Sequence, residues 1–342
     1  MKDFIPKRVF FEPQALDYPL GQEMYERFRQ MDIPIKLTGS HNRVTGIPGN
    51  STQEAFREAK QTLVVGVRKS ADFVTCKPSA HYQLPLNTSC PGMCEYCYLA
   101  TTLGKKPYIR VYVNIEDILA RAKRYMEERA PAITIFEGAA VSDPIPTEHL
   151  TGLLRRTIAF FGEQPWGRFR FVTKFTDVAS LLSVKHAGHT RFRFSINATS
   201  VLQQFEHGTP GLLERVAAAR DVARAGYPLG FILAPVFKFP DWQQQYQAVI
   251  ALLQQEMTKV AVAPDLTFEI ITHRFTKRAK NNILDLYPHT QLPLDETERM
   301  FKYGQFGYGK YVYPKEEQKE LKDFLTEELQ RRFPAAAIEY FV

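Results

Sequence analysis

Three cysteines are grouped in the segment Cys90-Pro-Gly-Met-Cys94-Glu-Tyr-Cys97. Because Cys94 and Cys97 are three residues apart, we expect them to share one face of a helix that begins at Cys94. Pro91 and Gly92 are typical of a turn, which would direct Cys90 back toward them. A 4Fe–4S cluster normally takes four cysteines, so three leave one iron open to a substrate or cofactor. The clustering therefore favours metal or cluster ligation, and an open 4Fe–4S cluster on Cys90, Cys94 and Cys97 is one of the possible groups.

Other roles for these cysteines stay open at this point. Zinc with a fourth ligand from His81 or Cys76 is one alternative, although structural zinc sites usually use two short cysteine repeats. Buried structural cysteines are the other alternative. Cys76 stands alone upstream, which is more typical of a packed core residue than of a ligand. Four cysteines in 342 residues do not make a disulfide framework.

Two strand-like segments alternate phenylalanine with polar side chains. They are Arg168-Phe-Arg-Phe-Val-Thr-Lys174 and Arg191-Phe-Arg-Phe-Ser-Ile-Asn197. A period of two places the phenylalanines on one face and the cationic groups on the other. A closed barrel fills its interior with branched apolar side chains. We therefore expect these polar faces to line an open ligand cavity, and the alternative is that they meet solvent.

The elements that must position these residues alternate between strand and helix. From about His81 onward, six strand–helix units follow one another, which favours a parallel sheet with helices packed outside. Eight units are needed to close a full barrel, so six predict an open one. The predicted units pair Tyr82–Leu86 with a helix from Cys94, Ile133–Phe136 with Glu148–Phe161, Phe169–Phe175 with Asp177–Leu182, Phe192–Ile196 with Leu212–Ala225, Leu229–Val236 with Trp242–Glu256, and Leu266–Ile271 with Lys277–Leu286.

The predicted fold class is α/β, a partial, open (β/α)6 barrel with additions at both ends. Residues 1–80 form an N-terminal α/β extension, residues 81–292 form the partial barrel, and residues 293–342 form a C-terminal hairpin and helix. The hairpin is expected within Met300–Tyr313 and the helix at Glu316–Arg332.

Bulk composition adds two expectations. The 44 Lys and Arg residues exceed the 37 Asp and Glu residues, and the formal charge of +7 weakly favours a polyanionic partner. The longest apolar stretch, around Phe231–Phe237, is too short to cross a bilayer, and the N-terminus lacks the apolar region of a secretory signal. We therefore expect a cytoplasmic protein with no membrane partner.

The motifs resemble a known enzyme superfamily. The CxxxCxxC spacing, with Tyr96 before the last cysteine, resembles the signature of radical S-adenosylmethionine enzymes. The segments Asn87–Leu99, Tyr108–Asn114 and Phe136–Asp143, and the hairpin stretch that ends Tyr311-Val-Tyr-Pro, resemble the spore photoproduct lyase family over most of the chain. This resemblance implies a carbon–carbon lyase that repairs DNA by reversing the ultraviolet lesion 5-thyminyl-5,6-dihydrothymine to two thymines.

The resemblance also implies the cofactors and the course of the reaction. A reduced 4Fe–4S cluster donates one electron to S-adenosylmethionine, whose carbon–sulfur bond breaks to give a 5′-deoxyadenosyl radical. This radical takes a hydrogen atom from C6 of the lesion, the bond between the thymines cleaves, and a hydrogen donor quenches the product radical. The protein positions these groups and excludes side reactions.

Residue roles follow from the same resemblance. Tyr96 and Tyr98 would relay hydrogen atoms beside the cluster, with a buried aromatic role as the alternative for each. Lys174 suits the cofactor carboxylate. Ser142 and Ser195 lie where ribose or methionine contacts are expected, and Ala234 and Tyr98 would flank the adenosyl group.

Ala140 departs from the family pattern. The family has at this position a cysteine that quenches the product radical, and a methyl group cannot deliver a weakly bound hydrogen atom. An engineered cysteine-to-alanine substitution would explain the difference. On this interpretation substrate binding and radical initiation survive, but clean turnover is impaired.

The implied partner is double-stranded DNA that carries the lesion. Stacked bases cannot reach a cavity, so the lesion must be extruded. Arg274 and Lys277, with Arg278 and Lys280, could hold phosphates, and the hairpin could wedge the duplex open through Lys302, Tyr303 and Lys310, next to Tyr311. Without the family, each is a surface charge or a packing residue. We further expect a monomer that works in the spore core or germinating cell with an unidentified electron donor.

Two alternative functions remain. One is another radical S-adenosylmethionine enzyme that acts on protein or RNA. A glycyl-radical activase would not need the basic strands and hairpin, and a methylthiotransferase would need a second cluster. The other alternative is a zinc-stabilised DNA-binding protein, which would be colourless where a cluster protein is brown.

Overall fold

The computed structural model describes residues 3–39, 44–70, 72–104, 106–261, 265–303, 307 and 309–342. The chain divides into two compact units. The first unit comprises residues 1–92 and 102–191, and the second comprises residues 93–101 and 192–342. The predicted division at residues 80 and 293 follows motifs rather than compactness, and it stays a prediction.

The described strands, in chain order, are β1 (Arg8–Phe11), β2 (Ile35–Leu37), β3 (Thr62–Gly66), β4 (Thr75–Cys76), β5 (Ala80–Gln83), β6 (Asn87–Thr88), β7 (Met93–Cys94), β8 (Ile109–Tyr112), β9 (Thr134–Glu137), β10 (Gly167–Thr173), β11 (Thr190–Ile196), β12 (Glu206–His207), β13 (Leu229–Val236), β14 (Leu266–Thr272), β15 (Met300–Tyr303), β16 (Gly309–Val312) and β17 (Ala337–Phe341).

The described α-helices are α1 (Pro19–Gln30), α2 (Thr52–Lys60), α3 (Leu99–Thr102), α4 (Ile115–Glu127), α5 (Ile145–Thr151), α6 (Leu153–Gly162), α7 (Thr199–Phe205), α8 (Leu212–Arg224), α9 (Trp242–Met257), α10 (Lys277–Leu286) and α11 (Lys315–Arg332). Short 3₁₀ helices cover Pro13–Asp17 and Ala179–Leu181.

The smaller sheet lies in the first unit and has the strand order β2-β1-β3-β8-β6. Strands β1, β2, β3 and β8 run parallel, and β6 pairs antiparallel with β8. The centre of β3, Leu63–Val65, is fully buried. Such a continuous apolar run is typical of a parallel strand that is covered on both faces.

The larger sheet has eight strands, in the order β17-β14-β13-β11-β10-β9-β5-β4. In the first unit, β9 pairs parallel with β5 and β10, and β4 is an antiparallel edge strand beside β5. In the second unit, β13 pairs parallel with β11 and β14, and β17 adds a further parallel strand beside β14. The predicted α/β class with six parallel strands is therefore confirmed, with one added strand at each edge, whereas several of the predicted helices differ.

The phenylalanine faces of the two alternating segments are buried as predicted, since Phe169, Phe171, Phe192 and Phe194 are at most 1% exposed. The alternative, that the opposite faces meet solvent, is wrong for the cations at the centres of these strands. Arg193 is 2% exposed and donates both to Glu269 Oε1 at 2.9 Å and to Glu269 Oε2 at 2.8 Å. Buried charges must be paired in this way.

Three predicted helices are wrong. Cys94 lies in strand β7, which pairs with β12, because a nonlocal pairing prevails over the local helical spacing. The predicted helix Asp177–Leu182 is only the 3₁₀ helix Ala179–Leu181. The predicted helix Glu148–Phe161 is two helices, α5 and α6, which are separated at Gly152 with φ of 63°.

The C-terminal expectations are confirmed. Strands β15 and β16 form an antiparallel hairpin, and α11 begins one residue before the predicted helix. None of the helices in the described part of the chain is both long and apolar enough to cross a membrane.

Candidate functional site

Two of the three predicted cluster ligands lie in a tight turn of the second unit. Cys94 ends β7 and is buried, and the Cys97 amide donates to the Cys94 carbonyl at 3.1 Å. Glu95 continues the pairing, because its amide donates to the carbonyl of Phe205 at 2.9 Å. A turn rather than a helix therefore brings Cys97 back toward Cys94.

Side chains that the sequence analysis missed hold this turn in place. Glu95 Oε1 bonds with His207 Nε2 at 2.8 Å, and Glu95 also accepts from the Thr290 hydroxyl. The Tyr287 hydroxyl donates to the Met93 carbonyl at 2.9 Å. Burial raises the pKa of Tyr287, and the charges of Cys94 and Glu95 add to the effect. The cysteine turn is thus anchored on both sides.

Tyr96 is oriented by a buried ion pair. Its hydroxyl donates to Glu206, and Glu206 accepts from Arg215 Nη2 at 2.5 Å. The side chains of Glu206 and Arg215 are fully buried. Burial and the Glu206 carboxylate raise the pKa of Tyr96 well above its usual value. The Tyr96 hydroxyl is therefore held by a buried carboxylate, whereas Tyr98 is 56% exposed.

The sequence signal for this ion pair was weak. Arg215 lies on the buried face of α8, three residues after Leu212 and four before Ala219, where an apolar side chain would be typical. A charged residue at such a position indicates a buried partner. The identity of Glu206 as that partner depends on the fold.

Ser195 and Ala234 lie near the carboxyl ends of neighbouring strands in the second unit. The Ser195 carbonyl accepts from Arg215 Nη1 at 2.9 Å. Asn197 Nδ2 donates to the Pro235 carbonyl at 2.7 Å, which joins the end of β11 to that of β13. In parallel α/β sheets, ligands bind beyond these carboxyl ends.

Cys90 follows a constrained residue of the first unit. Ser89 has φ of 64°, and its hydroxyl donates to the Pro107 carbonyl at 2.7 Å. Lys60 Nζ donates to the Cys90 carbonyl at 3.0 Å, although Lys60 is only 3% exposed. A buried ammonium group therefore lies beside the first predicted cluster ligand.

Asp143 organises the predicted cofactor residues of the first unit. Its carboxylate accepts from the Lys174 amide at 2.8 Å and from the Thr173 hydroxyl at 2.8 Å. Burial raises the pKa of Asp143 to about 6. The neighbouring Ser142 hydroxyl donates to Asn87 Oδ1 at 2.7 Å. Ser142 and Lys174 therefore both lie just beyond the carboxyl ends of neighbouring strands, β9 and β10, and the sequence predicts strand-end positions for both.

Ala140 lines a small cavity of the first unit, of about 50 Å³. The lining also includes Val74, Gln83 and Gly138. The adjacent Ala139 amide donates to Glu137 Oε1 at 3.1 Å. Because the side chain at position 140 is a methyl group, it contributes packing and no reactive group.

The hairpin of the second unit concentrates positive charge. Lys302 lies directly opposite Lys310, and like charges in this position destabilise a strand pair. Burial lowers the pKa of Lys310, and the charges of Arg274 and Lys302 lower it further. Three of the predicted nucleic-acid residues are therefore close together.

Of the remaining predicted nucleic-acid residues, some are exposed and others make contacts within the protein. Tyr303 is 73% exposed and Lys277 is exposed. Tyr311 exchanges backbone hydrogen bonds with Phe275, and their rings stack at 5.3 Å, so it anchors the hairpin. Lys280 pairs with Glu296 at 3.2 Å, which makes a phosphate role for Lys280 less suitable.

The zinc alternative names His81 or Cys76 as its fourth ligand. In the described ranges, no three His, Cys, Asp or Glu side chains surround a position for a single metal ion. His81, one proposed zinc ligand, accepts from the Ile135 amide at 3.0 Å through Nδ1. The cysteines of a 4Fe–4S cluster each bind a different iron, so they need not converge on one ion.

Known proteins resemble this chain over its whole length. The sequence model of the family "Spore photoproduct lyase" matches residues 4–342. A spore photoproduct lyase from Geobacillus sp. is 52% identical over 341 residues, 100% of both chains. The Bacillus subtilis spore photoproduct lyase is 50% identical over 338 residues, 99% of this chain and 98% of the relative.

Solved structures agree. A spore photoproduct lyase complexed with dinucleoside spore photoproduct has a TM-score of 0.97 and 52% identity, with both chains covered in full. A mutant of a spore photoproduct lyase, with bound AdoMet (S-adenosylmethionine) and dinucleoside spore photoproduct, has a TM-score of 0.97 and 53% identity at the same coverage. In that mutant, alanine replaces the cysteine numbered 140 and cysteine replaces the serine numbered 76. By sequence and by fold, this chain belongs to the spore photoproduct lyase family.

Proposed function

We propose that this chain repairs DNA by reversing 5-thyminyl-5,6-dihydrothymine to two thymines. The observation that carries the proposal is the full-length match to a structure that holds both AdoMet and the dinucleoside lesion. The residues that would hold these ligands lie at the strand ends of each unit described above. The site chemistry and the family thus support the same carbon–carbon lyase reaction.

The 4Fe–4S cluster would be held by Cys90, Cys94 and Cys97. Once bound, the cluster and AdoMet supply the radical that removes hydrogen from C6 of the lesion. The chain's own task is to place the ligands and keep water out. The Lys174 ammonium would pair with the cofactor carboxylate, and Ser142, Ser195, Ala234 and Tyr98 would contact its other parts.

Tyr96 and Tyr98 would hold and return hydrogen atoms. The support for Tyr96 is geometric, because the Glu206–Arg215 pair fixes its hydroxyl. The exposed Tyr98 ring has more freedom to adjust to a bound adenosyl group. The two tyrosines therefore suit different parts of a relay.

Lesion-bearing duplex DNA would dock through the hairpin. Lys302, Lys310 and Arg274 would neutralise phosphates, and an anionic partner would relieve their mutual repulsion. The exposed Tyr303 ring could stack on an opened base step. An external electron donor completes the reaction, and we propose that the enzyme acts as a monomer in the spore core or germinating cell.

Product analysis with one defined dinucleotide lesion tests this function. The anaerobically reconstituted, reduced protein with AdoMet should release thymine dinucleotide and show iron–sulfur absorbance. Replacement of Cys90, Cys94 or Cys97 by alanine should abolish both, because each thiolate binds its own iron. Cys76→Ala is the matched control and should keep its iron content. Lesion that stays intact with a loaded, reduced protein would contradict the proposal.

A further inference from the structure

A buried lysine lies next to the first of the proposed cluster ligands. Lys60, the last residue of α2, is only 3% exposed. Its ammonium group donates to the Cys90 carbonyl at 3.0 Å and to the Ser89 hydroxyl oxygen at 3.3 Å. The ammonium nitrogen also lies over the Phe56 ring, 5.5 Å from its centroid. All of these residues belong to the first unit, and two hydrogen bonds direct the charge toward Cys90.

This charge has no carboxylate partner in the described part of the chain. All Asp and Glu residues lie in the described ranges, and none of them forms an ion pair with Lys60 there. A buried charge is costly unless it is paired, and two other buried cations follow this rule. Arg110 pairs with Glu12, and Arg193 pairs with Glu269. Lys60 therefore needs an anion other than a carboxylate of this chain.

The end of α2 does not account for the position of the Lys60 side chain. A lysine in the last turn of a helix usually interacts with the free carbonyl groups of that helix. The Lys60 ammonium instead donates to oxygen atoms 29 and 30 residues further along the chain. Arg57, one turn earlier on the same helix, is exposed, as is usual for a surface cation. Lys60 is thus buried for its contacts with the cysteine segment.

The residue before Cys90 is held in an uncommon conformation. Ser89 has φ of 64°, in a region that serine rarely adopts. Its hydroxyl donates to the Pro107 carbonyl at 2.7 Å, and its amide donates to the Val141 carbonyl at 2.8 Å. Such a conformation persists where several contacts enforce it, and it is typical of functional sites. The first unit thus fixes the backbone from which the Cys90 side chain extends.

The anion that the proposed function supplies here is the Cys90 thiolate with its iron–sulfur cluster. Standard bond lengths keep the sulfur of a cysteine within about 5 Å of its own carbonyl oxygen. The Lys60 ammonium is 3.0 Å from that oxygen, so it lies within about 8 Å of the sulfur in any side-chain rotamer. A cluster with three thiolate ligands is negatively charged and becomes more so on reduction. A fixed cation nearby should therefore favour the reduced form.

We propose that Lys60 is the buried counter-ion of the cluster, on which it acts through Cys90. The inference deepens the proposed function and rests on it. Lys60 is a positioning residue, because its charge raises the midpoint potential of the cluster and its hydrogen bond to the Cys90 carbonyl holds that ligand in place. A higher potential makes the first electron transfer easier for the external donor. No bond to Lys60 forms or breaks.

The test measures the midpoint potential of the anaerobically reconstituted protein, without AdoMet or lesion, by an EPR-monitored titration with dithionite. It compares the parent with Lys60→Gln, which removes the charge but keeps a hydrogen-bond donor, and with Lys60→Met, which removes both. Arg57→Gln is the matched control, since it removes one charge from an exposed position of the same helix. Circular dichroism and iron content report the folding and the cluster loading of each protein.

The expected change is in the ratio of reduced to oxidised cluster at a fixed potential. This ratio should fall about tenfold in both Lys60 variants, because a unit charge about 8 Å away in partly buried surroundings has an effect of this size. It should be unchanged in Arg57→Gln, whose charge is screened by solvent.

Each outcome decides the matter. A ratio equal to the parent's in Lys60→Gln would overturn the inference, and so would an equal fall in Arg57→Gln. A fall in Lys60→Met alone would assign the effect to the hydrogen bond rather than the charge, which would overturn it too. Failure of both Lys60 variants to fold or to bind iron would make Lys60 a structural residue and would likewise overturn it. A parent chain that binds no iron would contradict the proposed function instead.

Discussion

At the scale of single residues, the site combines groups that the sequence identifies with groups that only the fold brings together. The cysteines are recognisable from their spacing, and the role predicted for Lys174 follows from the family resemblance. Glu206 and Arg215 are not recognisable in this way, because Glu206, which accepts from Tyr96, lies 110 positions further along the chain. Local patterns contain no information about such a pairing.

Lys174 gives a prediction at this scale. We expect Lys174→Ala to weaken AdoMet binding by about 2 kcal/mol, because a charge-assisted contact in a partly dry cavity is lost. Calorimetric titration of the reconstituted protein measures the change. Lys174→Arg keeps the charge and should lose less. An affinity equal to the parent's in Lys174→Ala would remove this side chain from the cofactor site.

At the scale of elements, the break between α5 and α6 shows how one residue redirects a helix. Glu148, which is 4% exposed, accepts from the Leu154 amide at 2.7 Å and the Arg155 amide at 3.0 Å. This carboxylate therefore caps the start of α6. Gly152 makes the geometry accessible through its positive φ, and a Cβ there would meet no atom within 4 Å.

Gly152→Ala should consequently destabilise the protein through backbone strain alone. We expect a loss of about 1 kcal/mol in the free energy of unfolding, because alanine rarely adopts this conformation. Gly152→Asn should cost less, since asparagine tolerates positive φ. Denaturant unfolding of the three proteins measures both values. If the alanine and glycine proteins were equally stable, the backbone at position 152 would have to relax without strain when alanine is present.

Sequence patterns predicted most elements well and failed where pairing is nonlocal. Strand Leu229–Val236 and helix Lys277–Leu286 match the structure at both ends, because apolar runs and a Thr276 cap mark them locally. The predicted helix at Cys94 failed because β7 pairs with β12, more than a hundred residues later. The turn at Gly152 was missed because a glycine within a helical pattern can either continue the helix or end it, and the sequence pattern is the same in both cases.

The hairpin yields the second prediction at this scale. Lys310→Gln should weaken binding of lesion-free duplex DNA and reduce the slope of log affinity against log salt by about 1, because one phosphate contact is lost. Lys322→Gln on α11 makes the same charge change away from the hairpin and should leave the slope unchanged. Fluorescence anisotropy at several salt concentrations measures both. Equal slopes in the two variants would exclude the hairpin from the DNA interface.

At the scale of the whole molecule, pH acts on stability through buried groups of opposite sign. Burial raises the pKa of Asp143 to about 6 and that of Glu148 to about 7, so both favour the folded state as pH falls. His273 acts in the other direction. It is 2% exposed, its ring stacks on Phe237 at 4.5 Å, and Arg299 Nη2 lies 3.4 Å from its Nδ1.

His273 therefore makes the folded protein sensitive to acid. Burial and the Arg299 charge lower the pKa of His273 to about 3, whereas an exposed histidine in the unfolded chain takes up its proton near 6.5. The unfolded state binds the extra proton between these values, so stability falls as pH falls through 6.5. Between about pH 7.5 and 5.5, the free energy of unfolding should fall by about 1.4 kcal/mol more in the parent than in His273→Asn. Anaerobic urea unfolding at both pH values measures this difference, in which Asp143 and Glu148 cancel because both proteins contain them. An equal pH dependence in the two proteins would mean that the pKa of His273 in the folded state lies near its unfolded value, which the stacking and the Arg299 contact argue against.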